Sequence, residues 1–120
     1  MHPFPPASKL QFLVGKEIEL ICLGQWQVWL HFGGKAHICV EGSLEHVDKA
    51  GRIRSHNFDE DRLSPFYLHH LFGQKVGMIE VEAFCLTLAF GAGDIIRIHG
   101  NEGPYECGQI YDHDGELTVF

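Results

Sequence analysis

An internal repeat is the feature that most constrains the fold of this chain. The segment 71–100 aligns without a gap on the segment 13–42, at a constant offset of 58 residues. Eight of the thirty aligned positions are identical, and seven of the others exchange one large apolar residue for another. Two such segments predict one structural module used twice. The identical pairs are Leu13/Leu71, Gly15/Gly73, Ile21/Ile79, Leu30/Leu88, Phe32/Phe90, Gly33/Gly91, Ile38/Ile96 and Gly42/Gly100.

Alternation of apolar and polar residues predicts three antiparallel strands in each copy, joined by glycine-rich turns. A three-residue loop between the second and third strands pairs Leu30 with Ile38. We prefer this register because a slip by one residue would turn the apolar side chains to solvent. The first strand of each copy is predicted to alternate in the same way. Its core-facing residues are predicted to be Ile18, Leu20 and Cys22 in the first copy, and Val76 and Met78 in the second.

Each copy ends in a further predicted hairpin, and a short helix is predicted between the copies. The segment "VDKAGRI" at 47–53 is similar to "YDHDGEL" at 111–117, and Asp-x-x-Gly indicates a tight turn. Ser64 as N-cap, Pro65 at the first helical position and Gly73 beyond the end predict a helix from about Pro65 to Leu71. A similar helical turn is expected before the first copy.

These signals predict a mainly β (α+β) fold made of two tandem antiparallel β-meander repeats with one short helix between them. Repeat one spans about 10–54 and repeat two about 64–120, within a single domain of residues 1–120. Because the strands carry apolar residues on both faces, the repeats are expected to pack about a pseudo-twofold axis. The result is a sandwich or a partly open barrel. Apolar residues left on the outer faces would support a homodimer.

Composition narrows the classes of function. The net charge of −7 argues against nucleic acid as a partner, because phosphate binding needs a basic face. No apolar run approaches the length of a membrane span, and the first residues lack a signal-peptide pattern, so a cytoplasmic location is expected. The four cysteines form no C-x-x-C pair and are expected to be free thiols. Among them, Cys22 is interpreted as a small core hydrophobe.

One candidate metal site follows from the predicted hairpin register. Trp29, His31, His37 and Cys39 should project from one face of the sheet, with His31 opposite His37. Two imidazoles and a thiolate close together would hold zinc or copper. The alternative interpretation is a pair of ordinary surface histidines. The hypothesis therefore names His31, His37 and Cys39 as metal ligands, with zinc as the candidate cofactor.

A second pairing, of Cys85 with His99, has the two groups that a thiol nucleophile and its base require. The sequence shows no third group to orient the histidine. It also contains no phosphate-binding loop, nucleophile elbow or dinucleotide fingerprint. These observations favour a non-catalytic protein without deciding the question.

Aromatic and acidic residues suggest a surface for a protein partner. Aromatic side chains are common anchors at interfaces. The last twenty residues carry five acidic side chains and no Lys or Arg, which suits a basic partner. The candidate partner-binding residues are Trp29, Tyr105, Glu106, Asp112, Asp114 and Glu116.

The second copy and its continuation show the patterns G-x-x-V, L-x-F-x-x-G and Tyr-Glu. In these patterns the chain resembles an uncharacterised family of small bacterial two-repeat β-rich proteins, over 71–117 with an echo over 13–53. That resemblance implies no catalytic residues. In size and charge the chain is also similar to immunity proteins of bacterial toxin systems. The residues that carry the patterns are Gly73, Val76, Leu88, Phe90, Gly93, Tyr105 and Glu106.

Three functions are therefore in competition. The first is a non-catalytic protein-interaction module of the immunity or adaptor type that binds a basic partner. The second is a metal-binding protein or metal-dependent enzyme that uses His31, His37 and Cys39. The third is a small-molecule binder in a groove between the repeats. The sequence favours the first.

Overall fold

The structure, a computed structural model, describes residues 2–58 and 66–120. Ten strands and three short helical segments make up this part of the chain. The helical segments are α1 (Ala7–Leu10) and two 3₁₀ helices, Gln11–Leu13 and Leu68–Leu71. The strands are β1 (Leu20–Leu23), β2 (Val28–His31), β3 (His37–Val40), β4 (Ser43–Val47), β5 (Ile53–Asn57), β6 (Val76–Glu82), β7 (Cys85–Phe90), β8 (Ile95–His99), β9 (Gly108–Tyr111) and β10 (Leu117–Val119).

The strands form two antiparallel five-stranded sheets, and each sheet contains strands from both repeats. Sheet one has the order β1-β2-β3-β9-β10, and sheet two has the order β5-β4-β8-β7-β6. Each three-stranded meander is therefore extended by the terminal hairpin of the other repeat. Because neither sheet closes on itself, the sandwich expected from the sequence is confirmed and the barrel alternative is not.

The predicted hairpin register is confirmed. In sheet one Trp29 pairs with Cys39, Leu30 with Ile38 and His31 with His37. The loop is closed by the Phe32 N–H, which donates to the Ala36 carbonyl at 2.9 Å. The second copy closes its loop in the same way, from the Phe90 N–H to the Asp94 carbonyl. Ala36 and Asp94 are thus structurally equivalent, at the offset of 58.

The terminal hairpins are equivalent at an offset of 64. Ile110 pairs with Ile38 in sheet one, and His46 pairs with Ile96 in sheet two, so Ile110 and His46 occupy matching positions. Both hairpin turns are held by an aspartate side chain. Asp48 accepts hydrogen bonds from the N–H groups two and four residues further on, and Asp112 does the same. The tight turns predicted from Asp-x-x-Gly are therefore confirmed.

The predicted alternation is wrong at the start of each copy. Ile18 is buried, but Leu20 and Cys22 are exposed, whereas Ile21 packs against the core. The second copy shows the same change of phase, because Val76 and Ile79 are buried while Met78 is exposed. A register shift between Val76 and Met78 marks a β-bulge, which reverses the faces of the residues that follow. In the first copy Cys22 is likewise exposed, a surface thiol rather than a core residue.

The predicted helix between the repeats is shorter than expected and of a different type. A 3₁₀ helix spans Leu68–Leu71, while Ser64 and Pro65 lie outside the described residues. The matching turn before the first copy is present as α1 and the 3₁₀ helix that follows it. Both turns end at equivalent glycines with positive φ, Gly15 at 86° and Gly73 at 84°. No helix in the described ranges is long and apolar enough to cross a membrane.

The core lies between the sheets and is closed by the chain termini. Phe120 is fully buried and stacks on Phe4, with ring centroids 4.4 Å apart. Gly108 lies directly beneath Phe120, since a Cβ there would be 2.5 Å from its Cζ. The two sheets therefore have sealed inner faces, and any chemistry is carried by their outer faces and by the ends of the sandwich.

Candidate functional site

The outer face of sheet one carries a cluster of four rings, which we name the aromatic face: Trp29, His31, His37 and Tyr111. It is built by register, because His31, His37 and Tyr111 lie in one row across β2, β3 and β9. His37 is central, with ring centroids 5.1 Å from His31, 5.3 Å from Trp29 and 4.3 Å from Tyr111. All four side chains are partly exposed. The surface is therefore aromatic and accessible, and its rings contact one another.

Burial lowers the pKa of the His37 imidazole and is the largest effect on it. The Lys35 carbonyl, 3.0 Å from Nδ1 of His37, opposes this by raising the pKa, and the neighbouring His31 lowers it by a smaller amount. The histidine at the centre of the face therefore favours its neutral form, and the cluster behaves as an aromatic patch.

The predicted three-residue metal site is not assembled. His31 and His37 lie together as predicted, but Cys39 is buried in the next row, opposite Trp29. Burial raises the pKa of the Cys39 thiol to about 12, with smaller contributions from Glu41 and Glu106. Metal binding requires the thiolate, which this environment disfavours. Within residues 2–58 and 66–120, no group of three or more His, Cys, Asp or Glu side chains is placed to hold a metal ion.

Acidic side chains lie at both ends of the aromatic face. At one end Trp26, Glu41, Tyr105 and Glu106 line a groove of about 450 Å³. Tyr105 is 82% exposed there, the largest value among the exposed apolar and aromatic side chains. The structure thus gathers two predicted partner-binding residues, Tyr105 and Glu106, into one groove together with Trp26 and Glu41.

The other end is the turn between β9 and β10, where the predicted acidic residues have different roles. Asp114 and Glu116 are exposed. Asp112 is occupied by its own turn, where the Glu116 N–H is the largest of several groups that lower the pKa of its carboxyl. The side chain of Lys35 packs against Gly115 and partly offsets the negative charge. Of the three, Asp112 is a structural residue. Asp114 has Nε2 of its neighbour His113 at 3.4 Å, and both it and Glu116 are exposed to a partner.

The Cys85–His99 pair exists in the predicted register, and the structure adds the third group that the sequence did not show. Nε2 of His99 lies 2.9 Å from Oε1 of Glu45 on the adjacent strand. The thiol, however, contacts Thr87 Oγ1 at 3.9 Å. Burial is the main reason why the pKa of the Cys85 thiol is raised. A protonated thiol on an open sheet face lacks the activation that a nucleophile needs.

Sequence reasoning missed one polar pair at the end of the sandwich. His46 and Asp94 are buried, and Nε2 of His46 donates to Oδ2 of Asp94 at 2.7 Å. The available signal was the repeat itself, since the offset of 58 places Asp94 at the position of Ala36. Asp94 is thus an acidic residue at a position where the other copy has a buried alanine.

Comparison with protein-family models, with curated proteins and with solved structures found no match. The function is accordingly argued from the geometry of the chain itself.

Proposed function

We propose that this protein is a non-catalytic interaction module that binds a basic protein partner through the aromatic face. One observation carries the proposal: four partly exposed rings in contact with one another on an open sheet, with carboxylates at both ends. Aromatic side chains lose little conformational freedom on binding and are frequent hot spots of interfaces. Here their mutual stacking has already fixed them in the unbound chain.

Apolar residues at the edges of the sheet extend this surface. Leu20 and Leu117 terminate the row of His31, His37 and Tyr111, and each is 52% exposed. Together they give an apolar strip that crosses all five strands of sheet one. A continuous apolar strip on an outer face is a typical feature of protein-binding sites.

Charge at the ends of the strip supports a basic partner. Glu106 at one end and Asp114 and Glu116 at the other are exposed, and the whole chain carries a net charge of −7. Such carboxylates raise the rate of encounter with a cationic surface and fix its orientation, whereas the desolvated rings supply most of the affinity. Immunity proteins and adaptors are the classes of interaction protein that this design fits. The four free cysteines support a reducing, cytoplasmic setting.

The repeat provides matched variants for a test. Thr87 occupies the position of Trp29 in the second copy, so Trp29→Thr replaces the largest ring of the aromatic face by a residue that the same fold already accepts. Thr87→Ala, on the outer face of sheet two, is the control. Immobilised wild-type protein and both variants are exposed to a lysate of the native cells, and retained proteins are identified by mass spectrometry.

We expect a basic protein that is retained by the wild type and by Thr87→Ala, and lost with Trp29→Thr. With the purified partner, loss of the Trp29 ring should weaken binding by about 2 kcal/mol, roughly thirtyfold. Charge reversal by Glu106→Lys and Asp114→Lys should slow association and reduce its dependence on salt. If no retained protein depends on Trp29, the aromatic face is not an interaction site and the proposal fails.

A further inference from the structure

The pseudo-twofold arrangement creates two equivalent clefts, one beside each Asp-x-x-Gly hairpin. Each lies between the hairpin turn and the helical segment that precedes the opposite meander. We name them the first cleft, of about 360 Å³, and the second cleft, of about 540 Å³. The first cleft is lined by Lys9, Leu10, Phe12, Ile110, Asp112, Glu116, Leu117 and Thr118. The second is lined by Asp48, Lys49, Ala50, Arg52, His70, Gln74, Ala92 and Asp94.

The two clefts differ in the residues at their base. The second cleft has Asp94 at its base, 3% exposed, held from behind by the fully buried His46. The equivalent positions of the first cleft are Ala36 and Ile110, both buried and apolar. The same backbone is thus built with an apolar pair in one copy. Burial of the polar pair is costly, since Nδ1 of His46 has no hydrogen-bond partner among the described residues. The other copy builds these positions without a polar pair, so we look for the role of this pair in binding.

A second polar group of this cleft is incompletely paired. Nε2 of Gln74 donates to the His70 carbonyl at 3.0 Å, which fixes the orientation of the amide. Its Oε1 is buried and finds no partner in the part of the chain that the structure describes. Buried polar atoms are normally hydrogen-bonded, so an unpaired acceptor in the lining of a cleft is a candidate contact for a ligand. Asp94, whose Oδ2 is held by His46, offers Oδ1 as a further acceptor.

The rim of the second cleft is cationic. Arg52 and Lys49 lie in the hairpin turn and are exposed. The Asp48 carboxylate does not neutralise Arg52 and Lys49 fully. Its Oδ1 accepts hydrogen bonds from the N–H groups of the turn, and its Oδ2 lies 3.1 Å from Nη1 of Arg54. At the position of Arg52 the first cleft has Glu116. The two equivalent clefts therefore carry opposite charge at this rim position.

We propose that the second cleft binds a small zwitterion of the α-amino acid class, with its ammonium at Asp94 and Gln74 Oε1 and its carboxylate at Arg52 and Lys49. Acceptors at the base and cations at the rim match the two ends of such a ligand. The volume lies in the range of small-molecule sites. His46 positions the Asp94 carboxylate by the hydrogen bond to Oδ2. This site is independent of the aromatic face, which lies on the outer surface of sheet one.

The test is a titration of the wild-type protein with each standard α-amino acid, followed by two-dimensional amide NMR spectra. Matched probes are the N-acetyl derivatives, which lack the ammonium, and the amino acid amides, which lack the carboxylate. At least one amino acid is expected to shift amide signals of residues 48–52, 70–74 and 92–94, with a dissociation constant below about 1 mM. Signals of 112–116, in the equivalent first cleft, serve as the internal control and should remain in place. Both truncated probes should bind at least about tenfold more weakly.

Two variants complete the test. The double change His46→Ile with Asp94→Ala installs the residues of the first cleft and should abolish the shifts. Arg52→Glu installs the rim charge of the first cleft at an exposed turn position, where folding is not at risk, and should weaken binding at least about tenfold. The proposal is overturned if no amino acid shifts the second-cleft signals. It is equally overturned if the shifts persist in Arg52→Glu, or if they are the same for the truncated probes.

Discussion

The buried His46–Asp94 pair permits a quantitative prediction, because the repeat shows which residues should replace it. His46→Ile alone leaves the Asp94 carboxylate, 3% exposed, without its partner. Loss of the hydrogen-bond partner of a buried carboxylate costs about 3 kcal/mol. Asp94→Ala alone leaves a second buried ring nitrogen of His46 unpaired, at a cost of about 2 kcal/mol. Each single variant should therefore be clearly less stable than the wild type.

The double variant should be far more stable than the sum of the single variants predicts. Ile and Ala are the residues that the other copy carries at these positions, and an apolar pair of suitable volume often replaces a buried polar pair at little cost. If the single changes cost about 5 kcal/mol together and the double change about 1 kcal/mol, the coupling free energy is about 4 kcal/mol. This figure is large compared with the stability of a domain.

Urea unfolding, followed by tryptophan fluorescence, measures the free energy of unfolding of the four proteins. If the urea transition has the same midpoint by tryptophan fluorescence and by circular dichroism, unfolding is two-state. Asp94→Asn is a control that keeps a polar group beside His46 and should cost less than Asp94→Ala. If the double variant loses the full sum of the single losses, the pair is not a replaceable unit. His46 and Asp94 would then not be structurally equivalent to Ile110 and Ala36.

Three further predictions concern stability and thiol chemistry. Gly108→Ala should destabilise the fold by about 3 kcal/mol, because the new methyl group would overlap the Phe120 ring; an unchanged urea midpoint would contradict this packing. The turn of β9 and β10 lowers the pKa of the Asp112 carboxyl from its ordinary value of 3.8, with the Glu116 N–H as the largest cause. Its contribution is therefore present above that pH and is lost as the pH falls through the lowered pKa. Acid titration of the unfolding midpoint should show a steeper loss for the wild type than for Asp112→Ala, and equal slopes would argue against this turn. Under native conditions iodoacetamide should modify Cys22 first, while the buried thiols react only in urea, as mass spectrometry of the peptides would show.

The sequence predicted the parts of the fold that depend on residues close together in the chain. The three-residue loop and the alternation of β2 and β3 placed Trp29, His31 and His37 on one face, because a hairpin fixes its own register. The same argument failed for Cys22. In the equivalent strand of the second copy a bulge between Val76 and Met78 changes the faces, and a regular alternation in the sequence does not reveal such a change.

The candidate sites were also predicted only where they depend on residues close together in the chain. The aromatic face was predicted except for Tyr111, which reaches it only because β9 crosses from the second repeat to pair with β3. A predicted metal site on that face was not assembled, because Cys39 is buried one row away from the two histidines.

The sequence by itself determined the repeat, the strands, the hairpin registers and the Asp-x-x-Gly turns, since each depends on residues close together in the chain. The tertiary structure alone decided the exchange of terminal hairpins between the repeats and the pairing of His46 with Asp94, which are 48 positions apart. Either arrangement of the hairpins satisfies the same backbone hydrogen bonds and the same apolar pattern. The choice rests on the packing of the two sheets against each other, and that choice builds both the aromatic face and the two clefts.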